Sequence, residues 1–343
     1  MKTGLFTDEN LWNKLLEESD FDFYHLPAFS NIEKKLIGGE PLFFYYENGN
    51  SKALIPLIRR EIPGADFFDV VSPYGYAGIL INRLFNYRLF DEVIMEFLKS
   101  CKENKIVSAF LRLNSFLNNY LFVESEVVKQ VIHGRTVIVD LSKDYNTLAS
   151  QYSSNHKRNI KKLKKEGFEV AFNNFDRYPA WQGIYISTMR RLNASSYYYF
   201  DEKYFTQLWD ALKDHLNLVT VHDKEGELAA GGLFTEYNGI IQYHLGGTAD
   251  KYRSVAPTKL MFDKVIEWGS NNHQKLLHLG GGLVGQMDSL FRFKYGFSKS
   301  LIHSSILRCI TNEDVYKSLL YEKFGSKKAI PDSNYFPLYR FKE

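Results

Sequence analysis

The sequence predicts a mixed α/β (α+β) protein made of two similar domains, each with a mixed, mostly antiparallel sheet flanked by helices. Each half of the chain has the same order of elements: a hairpin, a Gly/Pro-containing connection, a helix and a short strand. The two helices also share a pattern, with residues 90–94 reading FDEVI and residues 262–266 reading FDKVI. A chain of 343 residues is long enough for two domains that each bury a core.

The hairpins carry the strongest local signals of the repeat. The predicted strand pairs are 41–46 with 53–60 in the first half and 217–221 with 228–235 in the second half. The first turn, 47–50, contains Asn-Gly, and a second Asn-Gly at 238–239 leads into a further strand, 240–245. Asn and Gly tolerate the positive φ angles that tight hairpin turns require, so the dipeptide favours a hairpin.

The domain boundary is predicted near residue 134, before a strand at 136–141 that opens the second half. We expect Ser142 to cap a helix that begins near Tyr145. The predicted domains are therefore residues 1–134, residues 135–310, and a C-terminal helix with a docked tail at 311–343.

The amino-acid composition and the net charge exclude several classes of function. Hydrophobic residues make up 45% of the chain and charged residues 24%, and the net charge is only +3. These values are typical of a globular protein and do not support DNA binding through a globally basic surface. The two cysteines provide neither metal-binding spacing nor a disulfide framework, which favours a reducing compartment. We expect no signal peptide and no membrane span, and therefore a cytoplasmic protein that reaches any lipid-linked substrate from the membrane surface.

A strongly basic segment is the sharpest charge feature. Six of the nine residues from 157 to 165 are Lys or Arg. At helical spacing Lys157 and Lys161 share one face, and Arg158 lies on a neighbouring face. We expect such a helix to bind an anion: a diphosphate, an RNA backbone or an anionic headgroup. The alternative interpretation is a solvated surface helix.

A glycine run followed by a lysine motif is the second candidate site. Gly280-Gly281-Gly282 follows a predicted strand, and Lys294 lies between aromatic residues after Asp288. A partly desolvated ammonium is suited to stabilising a developing oxyanion, so Lys294 and Asp288 are the candidate catalytic residues. The alternative is that the glycines only turn the chain.

Further candidates for substrate binding are arginines and aromatic residues. Arg190 and Arg191 are suited to binding phosphate or carboxylate. Tyr243 and His244 occupy the strand before the second connection, although a single His on a strand is more often structural. No nucleophilic triad, HExxH or Walker motif is present, so we expect the acceptor to supply the nucleophile and the enzyme to supply positioning.

Together these motifs resemble the FemABX-like family of the GNAT acyltransferase superfamily. The segments that carry the resemblance are the basic helix from 153 to 167, the strand, loop and helix from 243 to 268, and the Phe-Lys and Gly-Phe motifs from 288 to 297. They cover roughly residues 136–300, whereas the first half matches through its architecture and Tyr24-His25. The resemblance implies tandem GNAT-like domains and transfer of an amino acid from aminoacyl-tRNA to a peptidoglycan precursor, or of an acyl group in polysaccharide pathways.

The resemblance also implies roles for individual residues. Lys294 matches the motif lysine near the reacting carbonyl, and Arg190 or Arg191 with Tyr243 falls where the family binds the precursor. In the first half, Tyr74 and Tyr76 are candidates for the same acceptor. No permanently bound cofactor and no metal are expected; aminoacyl-tRNA or acyl-CoA would be the donor substrate.

Two departures from the family patterns bear on the donor. The segment Arg253–Thr258 replaces the phosphate-binding glycines of ordinary GNAT loops with Ala256 and Thr258, and Pro257 removes an N–H donor. The coiled-coil arm that some family members place near tRNA is also missing. Three functions therefore stay open: aminoacyl or acyl transfer to an envelope precursor, CoA-dependent acylation of a nucleotide-linked amino sugar, and a non-catalytic module that binds anions or membranes.

Overall fold

A computed structural model describes residues 1–117, 125, 127–326, 330–331 and 333–341. It divides the chain into two compact units, residues 1–133 with 304–343 and residues 134–303. In the part of the chain that is described, no helix has the length and apolar character needed to cross a membrane.

The first unit is built on a sheet with helices around it. Its elements before residue 134 are, in chain order, β1 (Lys2–Phe6), α1 (Glu9–Glu17), α2 (Pro27–Ile37), β2 (Glu40–Asn48), β3 (Ser51–Glu61), β4 (Phe68–Val71), β5 (Leu80–Ile81), α3 (Phe90–Glu103) and β6 (Ile106–Arg112). Neighbouring strands are antiparallel except for β4 and β6, which are parallel and separated in sequence by α3. Two parallel strands must be joined by such a crossover. The apolar face of α3 packs into the core of this unit.

The second unit repeats this arrangement. Its elements are β7 (Val128–Asp140), which crosses the boundary, α4 (Tyr145–Ser150), α5 (Ser154–Lys165), β8 (Glu169–Phe172), α6 (Tyr178–Arg191), α7 (Glu202–Leu212), β9 (Leu216–His222), β10 (Leu228–Tyr237), β11 (Ile240–Thr248), α8 (Thr258–Asn271), β12 (Leu276–Gly280) and α9 (Ser289–Tyr295). The strand order is β8-β9-β10-β11-β12-β7, and only β11 and β12 are parallel, with α8 between them in sequence.

The end of the chain returns to the first unit. It supplies β13 (Ser300–Ile310), which pairs with β6 to give the order β1-β2-β3-β4-β6-β13, and α10 (Glu313–Phe324). The predicted ranges differ here: the sequence predicts residues 304–310 in the second domain and 311–343 as a separate helix and tail, whereas the structure places both in the first unit. Pairing with β6 accounts for the difference, and Tyr339 Oη donates 3.0 Å to the buried Asp69 carboxylate. Residues 327–329, 332 and 342–343 of the predicted tail lie outside the described residues.

The mixed α/β fold and the repeated hairpin, helix and strand are thus present in both units. Two local predictions were wrong. Asp144, not Ser142, caps α4, accepting a 3.0 Å hydrogen bond from Thr147 N, because the capping residue must directly precede the helix. In the first hairpin, β2 ends at Asn48, so the turn residues are Gly49 and Asn50, and of these Gly49 has the positive φ of 59°.

Candidate active site

Lys294 is a buried lysine on α9, with 7% of its surface exposed. Its Nζ donates a 2.7 Å hydrogen bond to the carbonyl oxygen of Gly281, just beyond the end of β12. The same atom lies 5.9 Å from the centre of the Tyr243 ring on β11. β11 and β12, the parallel pair of the unit, are paired at residues 240–242 and 276–278, so the lysine lies just beyond the point where this pairing ends.

Glycine is required at the point where the chain passes this ammonium. Gly280 has a φ of +79°, and a Cβ there would lie 3.2 Å from Lys294 Nζ. A side chain would therefore be strained and would also crowd the lysine. The glycine run thus brings the backbone close to the Lys294 ammonium, which is a side chain of the protein itself.

Burial sets the charge of Lys294. Removal from water lowers the pKa of its ammonium to about 8, and the nearby Asp288 carboxylate partly opposes this shift. The lysine is thus still mainly a cation at neutral pH, in surroundings where a charge acts more strongly than in water. It retains two N–H donors besides the one bonded to Gly281.

Asp288 acts on the backbone around α9. One carboxylate oxygen accepts 2.8 Å from Phe291 N as the helix cap, and the other accepts 2.9 Å from Leu283 N in the loop after β12. These contacts fix the start of α9 against the glycine loop.

Tyr243 and His244 point in opposite directions from β11, as neighbours on a strand must. Tyr243 packs against Phe262 and Phe234 and faces Lys294, and burial raises the pKa of its hydroxyl to about 12. His244 instead bonds to Tyr204 Oη at 3.0 Å, and burial lowers its pKa to about 4. Only Tyr243 of this pair is brought to Lys294.

The basic helix, α5, is held against α9 by its apolar face. His156, Ile160 and Leu163 are buried, and His156 Nε2 bonds to Phe293 O at 2.9 Å. Lys157, Arg158 and Lys161 are exposed, as the helical spacing predicted. The helix that carries the cations thus also supports the helix that carries Lys294.

The two predicted arginines at the end of α6 have different surroundings. Arg191 pairs with Asp250 and donates 3.3 Å to Thr188 Oγ1, which itself accepts from Thr248 N at the end of β11. Arg191 therefore ties α6 to β11. Arg190 is exposed.

Tyr74 and Tyr76 belong to the first unit, in the connection after β4. The Arg112 guanidinium lies 5.4 Å from the centre of the Tyr74 ring, and Tyr76 packs edge-on against Tyr24 at 5.8 Å. Gly75 between them has a φ of +96°, and a Cβ there would clash with Tyr24. Their role in binding an acceptor stays a prediction.

Residues 253–258, which are predicted to be unfavourable for binding coenzyme A, lead into the start of α8. Ala256 has a left-handed φ of 53°, and α8 starts at Thr258 directly after Pro257. Lys259 in the first turn is buried, and its Nζ donates to Asn155 Oδ1 of the basic helix. Burial and the neighbouring Arg158 lower the pKa of Lys259.

Sequence reasoning missed the residues beneath the basic helix. Asp263 on α8 is 1% exposed and accepts 2.8 Å hydrogen bonds from both Tyr145 Oη and Lys164 Nζ. These groups and Tyr152 border a cavity of about 270 Å³ that also contacts Lys157 and Lys161. The signal in the sequence is a carboxylate inside the apolar run of α8, within the repeated pentapeptide 262–266.

The part of the chain that ends at Lys294 is similar to a known family of transferases. Residues 150–294, which end at Lys294, match the acetyltransferase (GNAT) domain family. The fold is similar to that in the crystal structure of FemX, with a TM-score of 0.71 and 14% identity, covering 93% of this chain and 99% of that one.

Two further proteins are similar to this chain. A UDP-N-acetylmuramoylpentapeptide-lysine N(6)-alanyltransferase from Weissella viridescens is 26% identical over 197 residues, which are 54% of this chain. The chain spans only 55% of the length of that curated relative in this match. The structure of L-PGS from Bacillus licheniformis is similar with a TM-score of 0.55 and 15% identity, covering 91% of this chain and 95% of that one.

Proposed function

We propose that this protein transfers an aminoacyl or acyl group to an amine of a cell-envelope precursor. The observation that carries the proposal is the buried Lys294 ammonium, held by Gly281 just beyond the paired part of the parallel strands β11 and β12. The Weissella viridescens relative, by its name, transfers alanine to a lysine of a nucleotide-linked pentapeptide precursor. We propose the same class of acceptor here, and a cytoplasmic site of action.

The chemistry follows from the ammonium. The acceptor amine attacks the carbonyl carbon of the donor ester, and the carbonyl oxygen becomes an oxyanion. Lys294 donates to that oxygen. The tetrahedral species collapses as the C–O bond to the donor breaks, and the proton lost by the amine ends on the departing oxygen, which leaves as the free hydroxyl of the donor. A preorganised donor of this kind contributes a factor of about 10²–10³ to turnover.

The proposed roles of the other residues follow their positions. Asp288 and Gly281 hold Lys294 in place. The exposed cations of α5, Lys157, Arg158 and Lys161, bind an anionic part of a substrate, and Arg190 engages the acceptor. Aminoacyl-tRNA is the preferred donor, because Ala256 and Thr258 occupy the glycine positions of coenzyme A-dependent loops and Pro257 between them has no N–H.

The test is a transfer assay with the purified full chain. UDP-N-acetylmuramoyl-pentapeptide is incubated with alanyl-tRNA or with acetyl-CoA, and the mass increase of the acceptor is measured. We expect transfer from alanyl-tRNA, and a loss of about 10²-fold or more in turnover for Lys294→Ala. Lys299→Ala is the matched control, since Lys299 is an exposed lysine just after α9 that donates to Tyr295 O.

Wild-type turnover by Lys294→Ala would contradict the assignment of Lys294. Transfer from acetyl-CoA alone would move the protein to the coenzyme A-dependent class. Salt-sensitive binding to anionic vesicles without transfer to any acceptor would instead support a non-catalytic binding module.

A further inference from the structure

A buried pair of polar side chains joins the two parallel strands of the second unit. Gln242 on β11 and His278 on β12 are each 1% exposed, and His278 Nδ1 donates a 2.6 Å hydrogen bond to Gln242 Oε1. Because an amide oxygen only accepts, this bond assigns the ring hydrogen to Nδ1. Burial, with the nearby Lys294 ammonium, lowers the pKa of His278 to about 3, so the imidazole is neutral.

The pair lies at the point where the two strands stop pairing. The parallel register of β11 and β12 begins with Ile240 opposite Leu276 and ends with Gln242 opposite His278. On its other side, β12 shifts register against β7 between His278 and Gly280. The side-chain hydrogen bond therefore links β11 to β12 at their last matched pair, immediately before the backbone of β12 becomes irregular.

The stretch that follows the pair is the one that holds Lys294. Lys294 Nζ donates a 2.7 Å hydrogen bond to the carbonyl oxygen of Gly281, just after the end of β12. A Cβ on Gly280 would lie 3.2 Å from the same nitrogen. The effect of Lys294 on the pKa of His278 agrees with this proximity. A small displacement of β12 beyond His278 would thus move the ammonium.

Stability alone does not account for polar side chains at these two positions. Ile241, Leu277 and Leu279, their neighbours along the strands, are apolar and fully buried. Burying an amide and an imidazole costs free energy that their mutual hydrogen bond only offsets, whereas apolar side chains of similar shape carry no such cost. What a hydrogen bond adds is direction, because it fixes the distance and the angle between the two groups.

We propose that Gln242 and His278 are positioning residues for Lys294, because their hydrogen bond fixes the end of β12 where the Gly281 carbonyl holds the ammonium. The pair acts through the backbone of residues 280–281 and not through contact with a substrate. Without this bond the glycine stretch relaxes and the ammonium gains contact with water. The inference rests on the proposed function only for the reaction that Lys294 serves.

The pKa of Lys294 reports on its position without any transfer assay. It is measured by NMR titration of the full chain with lysine isotope-labelled at the ε carbon, and the Lys294 signal is assigned by its loss in Lys294→Met. Because burial is the main cause of the low value of about 8, release toward water raises this pKa. Asp288 and Tyr243, the titratable groups of α9 and β11 near the ammonium, are retained in every variant.

The double variant Gln242→Leu/His278→Leu separates positioning from stability. It replaces both polar groups by apolar side chains, so the protein should fold with an unchanged or higher melting temperature. We expect the pKa of Lys294 to rise by about half a pH unit or more. We also expect kcat to fall by about tenfold or more, with an unchanged KM for the acceptor.

His278→Asn tests the hydrogen bond itself. Its amide nitrogen takes the place of Nδ1 and still donates to Gln242 Oε1, so the pKa of Lys294 and kcat should stay close to the wild-type values. If the double variant does not fold, Gln242→Met removes only the acceptor and gives the same comparison with His278→Asn.

Gln274→Leu is the matched control. Gln274 precedes the opposite end of β12, and its Nε2 donates a 2.6 Å hydrogen bond to Glu236 Oε1 on β10. The substitution removes a glutamine hydrogen bond beside the same strand, far along it from Gly281. The pKa of Lys294 and kcat should therefore stay at the wild-type values.

The proposal is overturned if the pKa of Lys294 is unchanged or lower in the double variant, or if Gln274→Leu or His278→Asn raises it as much. These outcomes are independent of transfer activity. A protein whose Lys294 responds as expected but that transfers nothing contradicts only the proposed function. Efficient transfer with an unchanged Lys294 in the double variant contradicts only the present inference.

Discussion

His156 and Gly296 lie so close together that a Cβ on Gly296 would come within 2.4 Å of His156 Nε2. The same nitrogen bonds to Phe293 O at 2.9 Å, and the imidazole packs against the Phe297 ring at 4.4 Å. α5 and α9 are therefore locked together through one ring. Since α9 carries Lys294, this contact connects the basic helix to the position of the candidate catalytic lysine.

Gly296→Ala should therefore push α9 away from α5. We expect the free energy of unfolding to fall by about 1–3 kcal/mol, as for other overpacked sites, and turnover to fall as Lys294 shifts. Urea unfolding and the transfer assay measure the two effects. Gly183→Ala is the matched control: Gly183 is an exposed glycine within α6 where a Cβ meets nothing within 4 Å, so about 0.5–1 kcal/mol of stabilisation is expected. Equal effects of the two substitutions would contradict the steric explanation.

The elements that could be predicted from the sequence are those with a strong local pattern. The hairpin around Asn238-Gly239, whose φ angles are 51° and 81°, follows from turn chemistry. The exposed and buried faces of α5 follow from helical spacing, and the repeated order of elements indicated two similar domains. In each case residues that are close in sequence decide the structure.

The contacts that build the site are between residues distant in sequence, and local patterns do not specify them. Asp263 and Lys164 are 99 residues apart, and His156 and Phe293 are 137 apart. The return of residues 304–310 to the first unit depends likewise on the pairing of β13 with β6. The motif in the sequence predicts Lys294 as a candidate, but its hydrogen bond to the Gly281 carbonyl depends on how α9 packs beside β12.

The two arginines at the end of α6 should separate binding from stability. Arg191→Ala breaks a partly exposed pair with Asp250 and a bond to Thr188, so it should lower the free energy of unfolding by about 0.5–1 kcal/mol. Arg190→Ala should leave stability unchanged and raise KM for the acceptor, with kcat little affected. Arg177→Ala, at the other end of α6 and also exposed, is the control. A higher KM for Arg191→Ala with unchanged stability would reverse the two roles.

Buried histidines should make the protein sensitive to acid. Burial lowers the pKa of His25 and His156 to about 4 and that of His278 to about 3, below an unfolded value of about 6.5. The unfolded chain therefore binds more protons below pH 6.5, so stability falls as the pH drops from there toward 4. Each histidine contributes a loss of about 2 kcal/mol at pH 5.

Urea unfolding at pH 7 and pH 5 measures this loss. His156→Gln should reduce the difference between the two pH values by about 2 kcal/mol. His303→Gln, at an exposed position, should leave the difference unchanged. If the free energy of unfolding changes between pH 7 and pH 5 by the same amount in His156→Gln and in His303→Gln, carboxylates and not the buried imidazoles govern acid unfolding.

Lys294 should reduce stability in a way that depends on pH. Its pKa of about 8 in the folded protein lies below the unfolded value of about 10.4, so the unfolded chain holds more protons between these pH values. The free-energy cost of burying the ammonium is therefore complete below pH 8, at about 3 kcal/mol, and disappears as the pH rises past 10.4.

Lys294→Met removes that cost but also removes the hydrogen bond to Gly281, worth about 1 kcal/mol. The variant should thus be about 2 kcal/mol more stable than the wild type at pH 7 and no more stable at pH 10.5, as measured by urea unfolding at both pH values. In the transfer assay it should be inactive. Lys299→Met controls for the loss of a surface lysine, and equal destabilisation of Lys294→Met at both pH values would exclude a buried, catalytically poised ammonium.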